Sequence, residues 1–203
     1  DLGPAKFVRA DIRTPVVSKV LAVEGVNTVL HMDLAPMRPR GTGSATKEIN
    51  VIGTMQVLGA CQRSDTVSRV VMMSSSAVYG TSPRDPAVFK ASATARGGTK
   101  SGFAKDVVEA EAYPRGVAPR RPDICRTTLR LAQCVSPHFS SPLGLYFSNP
   151  VLPVPMGFDA RLQLLHPEDA YAVVERAATN DIPGTFNGGG DGVLMLTQAA
   201  RML

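Results

Sequence analysis

Blocks of apolar and polar positions alternate along the chain and predict strands and helices in turn. Residues 5–12 (AKFVRADI) and residues 26–32 (VNTVLHM) each predict a short strand. Between them, apolar residues at helical spacing from Val16 to Leu21, with Pro15 before them and Gly25 after them, predict a helix. The chain is therefore expected to open with a strand, a helix and a second strand.

A long helix and a buried strand are expected next. Ser44 can cap a helix that runs to about Arg63. Its apolar residues fall three apart, at Ile49, Ile52, Met55 and Leu58. Residues 69–75 (RVVMMSS) are apolar almost throughout, which is typical of a strand buried on both faces of a parallel sheet. This strand leads into a serine cluster, SSSAVYG, at residues 74–80.

The second half of the chain continues the alternation. Residues 101–113 predict a helix that Pro114 ends or kinks, and residues 126–134 predict a fourth strand. The remaining elements are expected at residues 161–166 (strand), 167–178 (helix), 184–187 (strand) and 196–203 (helix). Such alternation predicts a doubly wound parallel sheet, whose ligands bind at the carboxyl ends of the strands. The residues expected there are Asp11, His31, Ser74, Ser75 and Gln133.

Length and charge narrow the class of protein. The chain has 203 residues, enough for one domain or for one domain with a small lobe. Its net charge of +5 comes from dispersed basic residues, and aromatic residues make up 5% with no Trp. Few aromatic stacking platforms argue against a nucleic-acid partner, so a small anionic ligand explains the charge better.

The positions of the cysteines and histidines predict neither a disulfide framework nor a metal site. Cys61, Cys125 and Cys134 are scattered, which argues against a disulfide framework and favours reduced thiols. The three histidines are far apart, so no metal site is expected. No apolar run approaches the roughly 18 residues of a membrane span, and no signal peptide is evident. We therefore expect a cytoplasmic protein without a membrane partner.

Several short motifs, taken in order, resemble a known family. They are Asp11-Ile12 after a strand, VLH at 29–31, NVIGT at 50–54, SSSAVYG, a lysine on the following helix, LRLAQ at 129–133, RLQLLHPED at 161–169 and GTFNGGG at 184–190. They resemble the extended short-chain dehydrogenase/reductase family, the NAD-dependent epimerase/dehydratases, and within it actinobacterial UDP-glucose 4-epimerase-like proteins. The resemblance runs from about Ala5 to the end of the chain. It implies a Rossmann-like fold and an NAD-dependent enzyme that transfers a hydride transiently at a hydroxyl of a nucleotide sugar.

The resemblance also implies roles for individual residues. Those expected at the cofactor are Asp11, Ile12, His31, Met32, Asn50, Ser74, Lys105 and Ala132. Those expected at the substrate are Ser75, Gln133 and Arg161, and the catalytic group is Ser75, Lys105 and Ser101. Each also has a plainer interpretation: Asp11 can cap a turn, Tyr79 can be a packed side chain, and Lys105 can lie on a solvated helix face.

The sequence departs from the family pattern in ways that bear on activity. Ser101 stands four residues before Lys105, where the family has a tyrosine that serves as general base. The Gly-rich first βα unit is missing, and so is most of the C-terminal substrate lobe. We therefore expect residues 1–203 to form one partial Rossmann-like domain, with residues 137–203 including part of the substrate lobe.

Alternatives remain open from the sequence. The chain is interpreted as an epimerase-type enzyme with slow or absent turnover, as a non-catalytic descendant that binds a nucleotide or a partner, or as a steroid- or flavonoid-type reductase. The sequence does not distinguish NAD from NADP, because the deciding residue follows a strand outside this chain. A homodimer is compatible with the resemblance.

Overall fold

The computed structural model describes residues 4–34, 43–80, 82, 85–95, 102–117, 120–136 and 141–202. Its strands are β1 Thr28–His31, β2 Arg69–Ser75, β3 Cys125–Leu131, β4 Gln133–Cys134, β5 Arg161–Leu162, β6 Leu164–Leu165, β7 Gly184–Gly188 and β8 Leu194–Met195. Its helices are α1 Val16–Val23, α2 Gly43–Lys47, α3 Thr54–Arg63, α4 Phe103–Val117, α5 Pro142–Phe147, α6 Pro167–Thr179 and α7 Leu196–Arg201. A π-helical segment, Glu48–Gly53, joins α2 to α3, and a 3₁₀ helix, Ser76–Tyr79, follows β2.

The central sheet has four parallel strands in the order β1–β2–β3–β7. Strand β2 lies inside the sheet, and Val70, Val71 and Met72 on it are buried. Two small sheets, β4 with β6 and β5 with β8, lie beyond its carboxyl end. The expected Rossmann-like parallel sheet is confirmed, and so is the central position of β2.

Helices cover both faces of this sheet, and the apolar core is divided accordingly. On one face, Val70 packs with Leu21 of α1 and Leu58 of α3. On the other face, Val71 packs with Val174 of α6. Successive residues of a strand point to opposite faces, so the uninterrupted apolar run of β2 fills both layers.

The helical stretch after β1 differs from its prediction in its start and in its buried face. The helix begins at Gly43, so Ser44 lies inside it and is not its cap. The apolar spacing places Ile52 and Met55 on one stripe, yet both are exposed. The buried positions include Asn50 and Thr54. A π-helical turn holds one residue more than an α turn, which rotates the inward face past the predicted stripe.

Two further expectations about strands are wrong, and one helix ends later than one of its predicted alternatives. Residues 5–12 form no strand, and Phe7 is 75% exposed. Helix α4 runs past Pro114 to Val117, so Pro114 does not end it. Residues 161–166 form two strands instead of one, because β5 pairs with β8 and β6 pairs with β4.

Membrane-spanning helices and metal-binding clusters are absent from the described residues. No described helix combines the length and the apolar character needed to cross a bilayer. No three His, Cys, Asp or Glu side chains within the described ranges are grouped so that they could hold a metal ion. The three cysteines are free thiols, and burial raises the pKa of Cys61 to about 11.

Candidate functional site

The serine turn, residues Ser74 to Gly80, lies where β2 ends at the carboxyl edge of the sheet. Ser74 Oγ donates a hydrogen bond to Glu111 Oε1 of α4 at 2.5 Å. Ser75 Oγ accepts one from the backbone N of Ala77 at 3.2 Å and so caps the 3₁₀ helix. Ser76 lines a cleft. The three serines therefore have three different surroundings, although they are neighbours in sequence.

A cleft with about 390 Å³ of water-accessible space opens beside the serine turn. It lies at the carboxyl ends of β2, β3 and β7, where ligands bind in doubly wound sheets. Its polar lining includes Ser76, Tyr79, Arg130, Gln133, Arg161 and Asn187. The expected substrate residues Gln133 and Arg161 thus lie on the same cleft, and Ala132, expected at the cofactor, also lines it.

A buried ion pair supports one wall of the cleft. The guanidinium of Arg130, which is 3% exposed, binds both carboxylate oxygens of Glu111, with Nη2 at 2.7 Å from Oε2. Burial alone would lower the pKa of Arg130, but its hydrogen bonds to Glu111 and Tyr79 outweigh burial and raise that pKa. Glu111 also holds Ser74, so one carboxylate joins α4 to both β2 and β3.

The same guanidinium reaches the cleft surface through Tyr79. Arg130 Nη1 donates to Tyr79 Oη at 2.9 Å, and Tyr79 Oη donates to Asn187 Oδ1 at 2.6 Å. Asn187 Nδ2 donates to the carbonyl of Phe89, whose ring stacks on that of Tyr79 with centroids 4.6 Å apart. Tyr79 is therefore packed and hydrogen-bonded, which agrees with its plainer interpretation.

Helix α4 presents an apolar surface to the serine turn. Val107 is fully buried and packs with Val78 and Tyr79, and Phe103 packs against the same cluster. The side chain of Lys105 is 44% exposed, and its Nζ lies 3.7 Å from Glu109 Oε1. Ser101 lies outside the described residues. The catalytic roles expected for Ser75, Lys105 and Ser101 stay predictions.

Asp11 and Ile12 lie at the end of the stretch that was predicted as the first strand, and both contact other residues of the chain. Arg13 donates to the Asp11 carboxylate from both its backbone and its guanidinium. These hydrogen bonds lower the pKa of Asp11 to about 2. Ile12 lies over the helical Gly53 and packs against the core around α1 and α3. Asp11 remains exposed and could accept a hydrogen bond from a ligand.

Two other residues expected at the cofactor are buried and have partners within the chain. His31 Nε2 lies 2.7 Å from Thr54 Oγ1, and Thr54 Oγ1 donates to the carbonyl of Asn50 at 2.5 Å. Asn50 Nδ2 donates to Asp106 Oδ2 at 3.3 Å. Thr54 of α3 and Asn50 of the π-helical segment thus connect the end of β1 to the start of α4. Met32 is 44% exposed next to His31.

The sequence interpretation missed the pairing of Glu111 with Arg130. A charged residue inside an otherwise apolar strand, as in LRLAQ, indicates that a buried counter-charge is needed, because buried charges are almost always paired. That pattern was available, but it does not say which carboxylate is the partner. Asn187 was missed because no local pattern connects it to the serine turn.

Comparison with known proteins gives a family match over most of the chain. A family model described as NAD dependent epimerase/dehydratase family matches residues 1–187. Two uncharacterized proteins, one of Mycobacterium tuberculosis and one of Mycobacterium bovis, are each 48% identical to the chain over 201 residues. Each match covers 98% of this chain and 54% of the relative, so the chain spans about half the length of these relatives.

Solved structures share the fold at low sequence identity. The dTDP-glucose 4,6-dehydratase of Bacillus anthracis, in complex with NAD, matches with a TM-score of 0.77 and 15% identity, over 96% of this chain and 62% of that chain. The UDP-N-acetylglucosamine 4-epimerase of Methanobrevibacter ruminantium has a TM-score of 0.73 and 19% identity, over 96% and 64%. MoeE5, in complex with UDP-glucose and NAD, has a TM-score of 0.72 and 20% identity, over 96% and 66%.

Proposed function

The chain belongs to the NAD-dependent epimerase/dehydratase family, and from that premise we propose that its cleft binds a nucleotide sugar beside NAD. The proposed type is that of a UDP-glucose 4-epimerase, in which a sugar hydroxyl is oxidised transiently. Turnover is proposed to be slow or absent. Because the chain spans about half the length of its mycobacterial relatives, the activity of the whole protein is part of the proposal.

One observation carries this proposal, namely the position and lining of the cleft. It lies at the carboxyl ends of three parallel strands and combines an exposed arginine, Arg161, with the amides of Gln133 and Asn187. A guanidinium suits the diphosphate of a nucleotide sugar, because its donors match the geometry of phosphate oxygens. Amide side chains offer both donors and acceptors to sugar hydroxyls.

The residues present fit NAD binding in part. Ala132 lines the cleft, and Asp11 and Met32 are exposed outside its lining, so all three are accessible to a ligand, and they are the residues that we propose would hold the cofactor. His31 and Asn50 have side-chain partners in the fold, which favours contacts to NAD through their backbone. NAD, when bound, would supply the hydride acceptor. Ser75, whose oxygen is at the end of β2, is the residue that we propose for the substrate hydroxyl.

Binding of UDP-glucose tests the proposal, with Arg161→Ala as the variant. Hydrogen bonds to charged groups contribute about 1.5–3 kcal/mol, so we expect Arg161→Ala to weaken UDP-glucose binding by about tenfold or more. Arg176→Ala, which removes an exposed arginine of α6 outside the cleft lining, is the matched control and should leave the affinity unchanged. Isothermal titration calorimetry with and without NAD measures both.

Other results of the same titrations would favour the alternatives. Equal losses in both variants, or no binding of UDP-glucose by the unmodified chain, would contradict the proposed substrate. UDP bound as tightly as UDP-glucose would mean that the sugar adds nothing to binding, and would favour a non-catalytic nucleotide-binding protein. Binding of a hydroxysteroid or a flavonoid in place of the nucleotide sugar would favour a reductase.

A further inference from the structure

We propose that residues 85–95, here called the wall segment, form a ligand-contacting wall of the cleft that three side chains fix in place before a ligand binds. The three are Arg130 of β3, Tyr79 of the serine turn and Asn187 of β7. The proposal rests on the proposed function, since it concerns the same cleft. It makes Arg130 and Tyr79 positioning residues, which act on the ligand through the wall segment.

The first half of the wall segment borders the cleft. The residues that line the cleft there are Asp85, Pro86, Ala87, Val88 and Phe89. Val88 is 75% exposed, so its apolar side chain is accessible to a ligand. The wall segment, all of which the structure describes, contains neither a helix nor a strand. Its shape therefore depends on contacts with other parts of the chain.

The second half of the wall segment is anchored through its backbone carbonyls. Asn187 Nδ2 donates to the carbonyl of Phe89 at 2.9 Å. Arg130 Nη1 donates to the carbonyls of Ala91 and Ala93 at 3.2 and 3.1 Å. Side chains of β3 and β7 thus supply partners that a helix or a sheet would otherwise give to these carbonyls.

Tyr79 connects these two anchors and adds a third. Its ring stacks on that of Phe89 with an interplanar angle of 6°. Its hydroxyl accepts from Arg130 Nη1 at 2.9 Å and donates to Asn187 Oδ1 at 2.6 Å. A tyrosine hydroxyl has a single proton, and the bond to Asn187 uses it. Since Tyr79 is 5% exposed, its hydroxyl serves this network and not a ligand.

A buried carboxylate fixes the direction of the Arg130 guanidinium. Nε and Nη2 of Arg130 bind Glu111, so that Nη1 is the nitrogen left for the wall segment. The side chains of Arg130 and Glu111 are only 2% and 4% exposed. A guanidinium is planar and rigid, so holding one edge sets the direction of the other. The anchor is therefore in place without a ligand, and binding does not have to order the wall segment.

Tyr79→Phe tests the positioning, because it removes the hydroxyl and keeps the ring on Phe89. Tyr146→Phe is the matched control, since Tyr146 also donates to a carbonyl, that of Pro153 at 2.8 Å, but lies outside the cleft lining. The chain has no Trp, so Val88→Trp places a single fluorophore on the wall segment. We expect the fluorescence anisotropy of this Trp, without ligand, to fall in Tyr79→Phe and to stay unchanged in Tyr146→Phe.

Titration with UDP-glucose gives the second readout, in chains that keep Val88. We expect Tyr79→Phe to weaken UDP-glucose binding by about three- to tenfold, because the wall segment must then be ordered on binding. Tyr146→Phe should leave the affinity unchanged. Urea unfolding of both variants separates this effect from a general loss of stability, since a purely structural role would change the midpoint without changing the affinity of the folded chain.

Unchanged anisotropy in Tyr79→Phe would overturn the proposal. Lower anisotropy with unchanged affinity would overturn it as well, because the wall segment would then not contact the ligand. If Tyr79→Phe does not fold, Asn187→Ala, which removes an exposed anchor of Phe89, should lower the anisotropy in its place. If the unmodified chain binds no UDP-glucose, the proposed function fails, and the ligand-free anisotropy still decides whether Tyr79 holds the wall segment.

Discussion

Glu109 and Glu111 lie two residues apart on α4. Replacing each by glutamine compares the contribution of a surface carboxylate to the free energy of unfolding with that of a buried one. Glu111→Gln leaves the buried guanidinium of Arg130 without its counter-charge, so we expect a loss of about 3–5 kcal/mol of unfolding free energy. Glu109→Gln removes partly exposed ion pairs to Lys47 and Lys105 and should cost less than about 1 kcal/mol. Urea unfolding of both variants measures the difference, and equal losses would contradict the buried pairing.

The serine cluster and helix α4 show which features of the site a residue pattern predicts and which it does not. The serine cluster at the end of an apolar strand was predictable, and so was its place near a cleft. Which serine meets α4 was not, because alternation along β2 gives Ser74 and Ser75 opposite faces without naming the partner of either. For α4, residues 105 and 109 share one charged side and residues 103, 107 and 111 share another. The sequence alone offered no reason to choose between two sides that both carry an acid.

At the level of elements, the close contact between Ile12 and Gly53 can be tested with small substitutions. A Cβ at Gly53 would lie 2.5 Å from Ile12 Cδ1. Alanine gains about 1 kcal/mol over glycine in a helix, whereas overpacking costs about 1–3 kcal/mol. We expect Gly53→Ala to be neutral or destabilising in the native chain and to be stabilising by about 1 kcal/mol in an Ile12→Ala background. Denaturant unfolding of the four proteins gives the coupling, and the same gain in both backgrounds would show that Ile12 does not limit this position.

Elements with strong local patterns were predicted well, and elements that depend on a partner were not. Helix α6 starts at Pro167 after His166, whose Nδ1 accepts from the backbone of Glu168, so its start is encoded locally. Residues 5–12 have the composition of a strand but make no sheet pairing in the described chain. The π-helical segment Glu48–Gly53 was likewise not predicted from the sequence, because the spacing of apolar residues was interpreted as that of an uninterrupted α-helix.

For the molecule as a whole, topology explains the location of the cleft better than any motif does. Parallel strands with helices on both faces bring the carboxyl ends of β2, β3 and β7 to one edge. Segments far apart in sequence then meet there, as when Tyr79 donates to Asn187 across 108 positions. The edge was predictable from the alternation of strands and helices. The side-chain contacts between the strand ends, such as that of Tyr79 with Asn187, were not predictable, because they depend on both the order and the register of the strands.

The affinity of the 203-residue chain for NAD depends on the molecule as a whole, because several segments of the fold contribute to a dinucleotide site. A Gly-rich turn at a helix N-terminus normally offers backbone donors and a positive dipole to the pyrophosphate. No G-x-G-x-x-G or G-x-x-G-x-x-G occurs among the 203 residues. We therefore expect this chain to bind NAD only weakly or not at all by itself, while UDP-glucose, held by the cleft residues, binds independently of NAD. Calorimetric titration of one preparation with each ligand in turn measures both affinities. Micromolar binding of NAD would show that groups such as Asp11 and Ala132 hold the cofactor without a Gly-rich turn, and Asp11→Ala would then be the first variant to test.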